Sequence, residues 1–378
     1  MKILIAPDKF KGSMRASDVA ARVAAGISSV APDAEVIAVP VADGGDGTLD
    51  AAVAAGFELV PVTVDGPTGE PVGTGYARRE ESAVIELADA CGLVRLPGGV
   101  LAPLTASSAG FGQVIAAALD AGCRRLILAI GGSASTDGGA GMLTALGARI
   151  RDAAGADVRP GGGGLEHVAT VDLSGLHPAL AGADIVLASD VDNPLLGAHG
   201  AAAVYGPQKG ATPDDVARLD AALRAWSGAV AKALGVEPGP SGHPAADVPG
   251  AGAAGGVGFA AVAVLRATAR PGIELMLELT GLRDDLAGAD LVVTGEGSLD
   301  EQTLHGKAPA GVATAARAAG VPVVTVSGRN LLTDGQLTAA GVRRAYTLID
   351  LEPDVGRCMA EPGPLLEALG RAIAADLH

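Results

Sequence analysis

Aromatic residues are scarce in this 378-residue sequence: Phe, Trp and Tyr together make up 2% of it, with a single Trp. Val, Leu, Ile and Ala must therefore fill the interior that a 49% hydrophobic content implies. Cysteine is nearly absent. Cys91, Cys123 and Cys358 are an odd number and lie far apart, which excludes a disulfide framework and a zinc knuckle. Positive charge is in deficit, with 27 Lys and Arg against 43 Asp and Glu and a formal charge of −16 that no basic stripe interrupts. Nucleic acid and anionic membrane surfaces are poor partners for such a chain, so an anionic substrate would have to be met locally. No apolar run is long enough to span a bilayer and "MKILIAP" leaves no room for a secretory leader, so a cytoplasmic protein is expected.

Common catalytic signatures are missing too. There is no G-x-S-x-G elbow and no H-E-x-x-H helix, and the six histidines fall singly, with only His305 inside a candidate site loop. A Walker A loop fails because Glu301 stands where a glycine should precede Gly306-Lys307. One G-x-G-x-x-G does occur, "GAGAAG" at 250–255, but it follows "HPAADVP" rather than a strand. It is all that supports a nicotinamide-dependent dehydrogenase as a second reading.

Glycine, by contrast, is abundant at 56 residues, about twice the usual share. Short apolar runs at 2–7, 36–41, 83–88, 125–130, 184–189, 290–295 and 321–328 read as buried strands, because continuous rather than alternating hydrophobicity suits a sheet covered on both faces. Helical spacing recurs at 17–27, 107–119, 214–234 and 308–320, the first opening on a Ser17–Asp18 capping pair. The alternation predicts an α/β fold with mostly parallel strands, and the length predicts two domains. The Gly- and Pro-rich stretches 152–164 and 235–256 read as excursions or hinges.

In such folds ligands sit beyond the carboxyl ends of the strands. There the sequence repeats itself chemically: "DKFKGS", "ADGGDGT", "GGSASTDGG", "DVDNP" and "EGSLDEQT" each follow an apolar run, and each carries an acid. Turn chemistry alone would explain one such loop. Five at one sheet edge point further. Glycine loops expose backbone N–H groups that cradle phosphate, whereas carboxylates repel phosphate but hold Mg²⁺, so the combination suggests a metal–nucleotide site.

As a set these segments resemble the bacterial glycerate kinase family: "APDKFKGS" at 6–13, "PVADGGDGT" at 40–48, "IGGSASTDGGAGML" at 130–143, "DVDNPLLGAHGAAAVYGPQKGA" at 190–211 and "TGEGSLDEQTLHGKAP" at 294–309. The resemblance runs nearly end to end. It departs at Asp46, where the family pattern has Glu. It implies ATP-dependent phosphorylation of D-glycerate to 2-phosphoglycerate in organic-acid catabolism, with Mg²⁺, ATP and a small hydroxy acid as the molecules bound. Glycerate 3-kinase chemistry and a non-catalytic hydroxy-acid binding protein are the alternatives. The resemblance further implies a flavodoxin-like three-layer parallel-sheet domain from residues 1–62 and 284–378, an inserted α/β domain with a mixed sheet at 63–283, and an active site in the cleft between them.

Phosphoryl transfer needs positioning, neutralised charge and an acceptor for the hydroxyl proton. Asp190 or Asp43 is the expected base, and Lys11 the expected catalytic cation. Asp192 and Glu296 are the expected metal ligands, from a set that also holds Asp43 and Asp190. Substrate and phosphate contacts are expected from Ser13, Gly44, Gly45, Gly47, Thr48, Gly131, Gly132, Ser133, Asp137, Asn193, Gln208, Lys209, Gly295, Gly297, Asp300 and Lys307.

Overall fold

The computed structural model describes residues 1–304 and 307–377. Its strands in chain order are β1 (Lys2–Pro7), β2 (Glu35–Ala38), β3 (Glu58–Asp65), β4 (Pro71–Arg79), β5 (Ser82–Glu86), β6 (Arg125–Ala129) and β7 (Arg149–Arg151). They continue with β8 (Thr170–Asp172), β9 (Asp184–Ala188), β10 (Thr268–Arg270), β11 (Leu291–Leu299), β12 (Val323–Asn330) and β13 (Val342–Thr347). The chain forms two compact units, one from Met1–Asp43, Asp50–Phe57 and Pro271–His378, the other from Gly44–Leu49 and Glu58–Arg270.

The first unit carries five parallel strands in the order β13-β12-β11-β1-β2. Counted within the unit and read from the β2 edge this is 2-1-3-4-5, the flavodoxin-like doubly wound order. Residues Ile3 to Ala6 are all fully buried because both faces of the sheet are covered. Ile3 and Ile5 join one core with the helices Ala16–Val30 and Pro362–Ala375, while Leu4 and Ala6 join another with Gly272–Leu279 and Ala308–Ala318. That is why β1 reads as a continuous apolar run. The two helices of the first core cross closely, since a Cβ on Gly26 would lie 2.1 Å from the Glu367 carbonyl oxygen. Strand order reverses between β1 and β11, so the crevice for a ligand opens at their carboxyl ends. Pro7 pairs with Gly295 there, which brings Asp8 and Glu296 out side by side.

The second unit has a six-stranded mixed sheet, β10-β9-β6-β5-β4-β3, in which β5, β6, β9 and β10 are parallel and β3–β4 is an antiparallel hairpin. Glu86, Ala129, Ala188 and Arg270 stand level across the parallel part, so the segments after them share one edge.

Three expectations are corrected. The helix predicted to be capped at Ser17 starts at Ala16 with Arg15 before it and no side-chain cap, because the Ser17 hydroxyl donates to Asp50 Oδ2 at 2.8 Å instead. The stretch 235–256 is not wholly an excursion: Ala245, Ala246, Ala251 and Ala253 are buried in the second unit's core. The compact units also divide away from 62/63 and 283/284. Residues 58–62 pair with β4 throughout, and Ile273 and Leu277 pack with Val312 in the first unit's core.

Candidate active site

In the first unit the acids converge at the β1/β11 edge. Asp8 is 8% exposed and its Oδ1 accepts from the Lys9 amide at 2.7 Å. Burial, then the neighbouring Asp43 carboxylate, push its pKa up to about 8, with Glu296 adding to the effect and the Lys9 amide opposing it. Glu296 is itself raised, chiefly by burial. Its Oε1 accepts from the Thr303 hydroxyl at 2.6 Å, and Lys307 Nζ stands 3.6 Å from its Oε2. Lys307 also lies 3.9 Å from Asp300 Oδ1, which accepts from the Gln302 and Thr303 amides and so shapes the turn. Glu296, Asp300 and Lys307 are thus brought together as one cluster. Gly295 allows the close strand approach behind it, since a Cβ there would sit 1.7 Å from the Val326 carbonyl oxygen. Gly297 runs against the backbone of Phe10 and Lys11.

Lys11 and Ser13 fare differently. Lys11 is exposed, and Ser13 spends its hydroxyl on the Met359 carbonyl at 2.6 Å. Asp8, which sequence reasoning quoted without naming as a site residue, sits at the centre of the cluster. The signal was available: it is the first residue after a fully buried strand. His305 and Gly306, in the segment before Lys307, lie outside the described residues.

In the second unit two glycine loops meet. A Cβ on Gly131 would come within 2.6 Å of Gly45 Cα, so the backbones after Asp43 and after β6 touch where neither carries a side chain. Glu86, at the end of β5 and 4% exposed, accepts from the Gly47 amide at 3.1 Å and the Leu49 amide at 2.9 Å. The Thr48 hydroxyl donates back to the Gly45 carbonyl at 2.6 Å. Gly44 and Gly47 take φ +85 and +97, and Asp46 lies near Gly132. Glu86 was missed because "AVIELA" reads as plain strand. The amides of Gly131, Gly132 and Ser133 donate to no acceptor among the described residues.

The rest of the loop is held from behind. Asp137, fully buried, accepts from the Ser108 amide at 2.8 Å, the Ser108 hydroxyl at 2.9 Å, the Gly139 amide at 3.1 Å and the Gly141 amide at 3.2 Å. It organises the starts of the helices Ala109–Asp120 and Ala140–Ala145. Trp226 Nε1 donates to the Gly138 carbonyl at 3.0 Å. The "GAGAAG" stretch packs here: a Cβ on Gly255 would lie 2.1 Å from the Ser135 carbonyl oxygen, and the Gly138 amide donates to Gly255. Its glycines serve loop packing, which removes the motif that supported a dehydrogenase. Lys209 is 2% exposed, and its ammonium donates to Ser133 Oγ at 2.8 Å and to the Ser135 carbonyl. Burial draws its pKa down to about 7 against the opposing charge of Asp137.

After β9, Asp190 and Asp192 are exposed, as is Gln208. The Asn193 carboxamide is committed within the fold, donating to the His199 carbonyl at 2.9 Å and accepting from Tyr205 Oη at 2.6 Å. Asp192 helps raise the pKa of the Tyr205 hydroxyl, after burial. Among the described residues no group of three or more His, Cys, Asp or Glu side chains is assembled to hold a metal ion.

Comparison with known proteins bears on what these two edges serve. The family model "Glycerate kinase family" matches residues 3–378. A Bacillus subtilis protein named glycerate kinase is 41% identical over all of this chain and 98% of its own length. An Escherichia coli K12 protein named glycerate 2-kinase is 44% identical over 92% of this chain and 91% of its own. A crystal structure of a Salmonella typhimurium LT2 protein, provisionally described as glycerate kinase 2, superposes with a TM-score of 0.83 at 43% identity over 100% of this chain and 98% of that one. Acid-and-glycine loops at the carboxyl edges of two sheets, in a chain matched from end to end, identify it as a member of the glycerate kinase family.

Proposed function

We propose that the protein transfers the γ-phosphoryl group of ATP to the 2-hydroxyl of D-glycerate, giving 2-phosphoglycerate and ADP, in cytoplasmic organic-acid catabolism. The observation that carries this reading is the 44% identity to a protein named glycerate 2-kinase, spread over nine-tenths of both chains. No helix of the described residues is long and apolar enough to cross a membrane.

The chemistry of each edge supports it. Open N–H groups on Gly131, Gly132 and Ser133, beside the Gly44–Gly47 loop, suit an anionic oxygen of the phosphoryl group or of the glycerate carboxylate, because they donate without a side chain in the way. Asp190, solvent-reachable after β9, accepts the proton of the attacking hydroxyl. Its exposure suits a group that meets a diffusing substrate. At the first unit's edge, the buried Asp8 and Glu296 and the neighbouring Asp43 offer hard oxygen donors that fit Mg²⁺, and the charges of Asp43 and Glu296 oppose ionisation of Asp8. A ready-made three-ligand cage is not required, since Mg²⁺ is usually held by one or two carboxylates, water and the polyphosphate. When bound, the ion neutralises polyphosphate charge. Lys307, paired with Glu296 and Asp300, is poised to exchange those partners for a phosphate oxygen.

Incubation with D-glycerate and Mg·ATP, followed by enolase, tests the proposal. Enolase consumes the 2-phosphate directly, so ADP release together with immediate dehydration of the product is expected. Dehydration that waits for added mutase would assign the 3-hydroxyl, and absence of ADP would refute the kinase reading.

A further inference from the structure

Lys209 poses a question the reaction does not answer. An ammonium on a fully buried side chain is costly to keep, and a buried ion pair can often be replaced by apolar groups of similar volume without loss of stability. Packing alone therefore gives no reason for the charge. Its position does. A protonated lysine can only donate, and Lys209 Nζ donates to Ser133 Oγ at 2.8 Å and to the Ser135 carbonyl. The Ser133 oxygen is thereby fixed as an acceptor toward the interior, and no acceptor among the described residues takes the hydroxyl's own proton. Ser133 is 4% exposed and held in place by an isolated antiparallel bridge to Gly92. Its neighbour Gly132 is the glycine beside Gly131 and Asp46 at the loop face.

We infer that Lys209 is a positioning residue acting through Ser133. The buried ammonium polarises the serine hydroxyl and turns its proton toward the anionic oxygen bound on the Gly131–Ser133 amides. The charge reaches the ligand through one hydroxyl, without contact. The acidic group facing the ammonium is Asp137, and its four donors keep its carboxylate from collapsing onto the lysine. A lysine in the sequence "GPQKGA" thus acts, when protonated, as a charge beneath the cradle rather than as a phosphate contact. The inference rests on the reading of that cradle as an anion site. The oxygen it serves belongs either to the glycerate carboxylate or to a phosphoryl group of ATP.

The test compares wild type with Ser133→Ala, Lys209→Met and the double variant. It measures melting temperature, KM and kcat for D-glycerate and for Mg·ATP, and calorimetric binding of each. The single variants should keep their melting temperature and each lose about tenfold or more in kcat/KM for one substrate, and the substrate affected identifies the oxygen. The double variant should lose no more than the worse single, because the lysine acts only through the serine. Losses that multiply would overturn the relay, as would a Lys209→Met protein that melts lower yet keeps its kinetics, since that describes a strut. If Lys209→Met does not fold, Ser133→Ala decides alone, and unchanged KM and affinity for both substrates refute the inference. Should wild type bind both substrates yet release no ADP, the kinase reading fails while the binding arms still report on the relay.

Discussion

Replacing Asp137 by Ala is the sharpest perturbation the second unit offers. It removes one carboxylate and strands four donors, the amides of Ser108, Gly139 and Gly141 and the Ser108 hydroxyl, three of them in a buried place. Hydrogen bonds to a charged acceptor contribute roughly 1.5–3 kcal/mol each. Four that share one acceptor do not add, and about half the simple sum leaves about 3–6 kcal/mol. Units of this size lose roughly 2–4 °C of melting temperature per kcal/mol, so a fall on the order of 10 °C or more is expected. Asp137→Asn should fare nearly as badly, because an amide NH₂ would face N–H groups on one side. Thermal unfolding by circular dichroism, with kinetics measured well below the transition, separates the possible roles. Activity should fall with the folded fraction. If the Ala variant melts within about 3 °C of wild type while its turnover collapses, the carboxylate works on substrate or cation and the reasoning is wrong.

Gly139→Ala puts a Cβ 2.5 Å from that of Ala260 at φ +75, so roughly 2 kcal/mol or more of stability should go. Gly132→Ala meets Ala88 Cβ at 3.2 Å and Asp46 Cβ at 3.8 Å, and a left-handed backbone strain of about 1 kcal/mol should leave it folded but weaker in substrate affinity. Parallel losses of stability and affinity in both variants would make the whole loop structural. Asp190→Asn, at an exposed position, should melt like wild type and lose roughly 10²–10⁴-fold in turnover; near-normal kcat would move the base to Asp43. Asp8, raised from 3.8 to about 8, binds a proton in the folded state that the unfolded chain gives up, so its contribution to stability is lost as pH rises through that window. The denaturant midpoint of Asp8→Asn should therefore gain on wild type between pH 4 and 8, and a pH-independent difference would refute the assignment.

What could be read from the letters depended on whether one residue's neighbours in space are also its neighbours in sequence. Strands β1, β5, β6, β9, β11 and β12 were legible because burial on both faces writes an unbroken apolar run. The hairpin β3–β4 was not, since its exposed and half-buried residues mix without such a run, and β13 carries Arg343 and Arg344. The Ser17 cap was misread because Asp50, far along the chain, takes the hydroxyl first.

The site loops were visible for the same reason as the strands: acid and glycine directly after an apolar run is a local pattern. The jobs of the acids were not local. Asp137 and Glu296 sit in similar glycine settings, yet one is buried and accepts from four donors and the other faces a hydroxyl and a lysine. Only the partners distinguish a carboxylate that holds the loop from one left with capacity for a cation. Glycine shows the same divergence. Gly131 is bare because Gly45 passes within 2.6 Å of where a Cβ would be, whereas Gly255 is bare because the Ser135 carbonyl, in the same loop, lies 2.1 Å from its own missing Cβ. An anion cradle of bare amides keeps its shape only if something behind it is packed closely enough to stop the loop from collapsing, and a close approach of backbone to backbone is itself made of glycine. The glycine-rich stretch at 250–256 that matched a dinucleotide pattern is therefore explained as backing packed against the loop after β6.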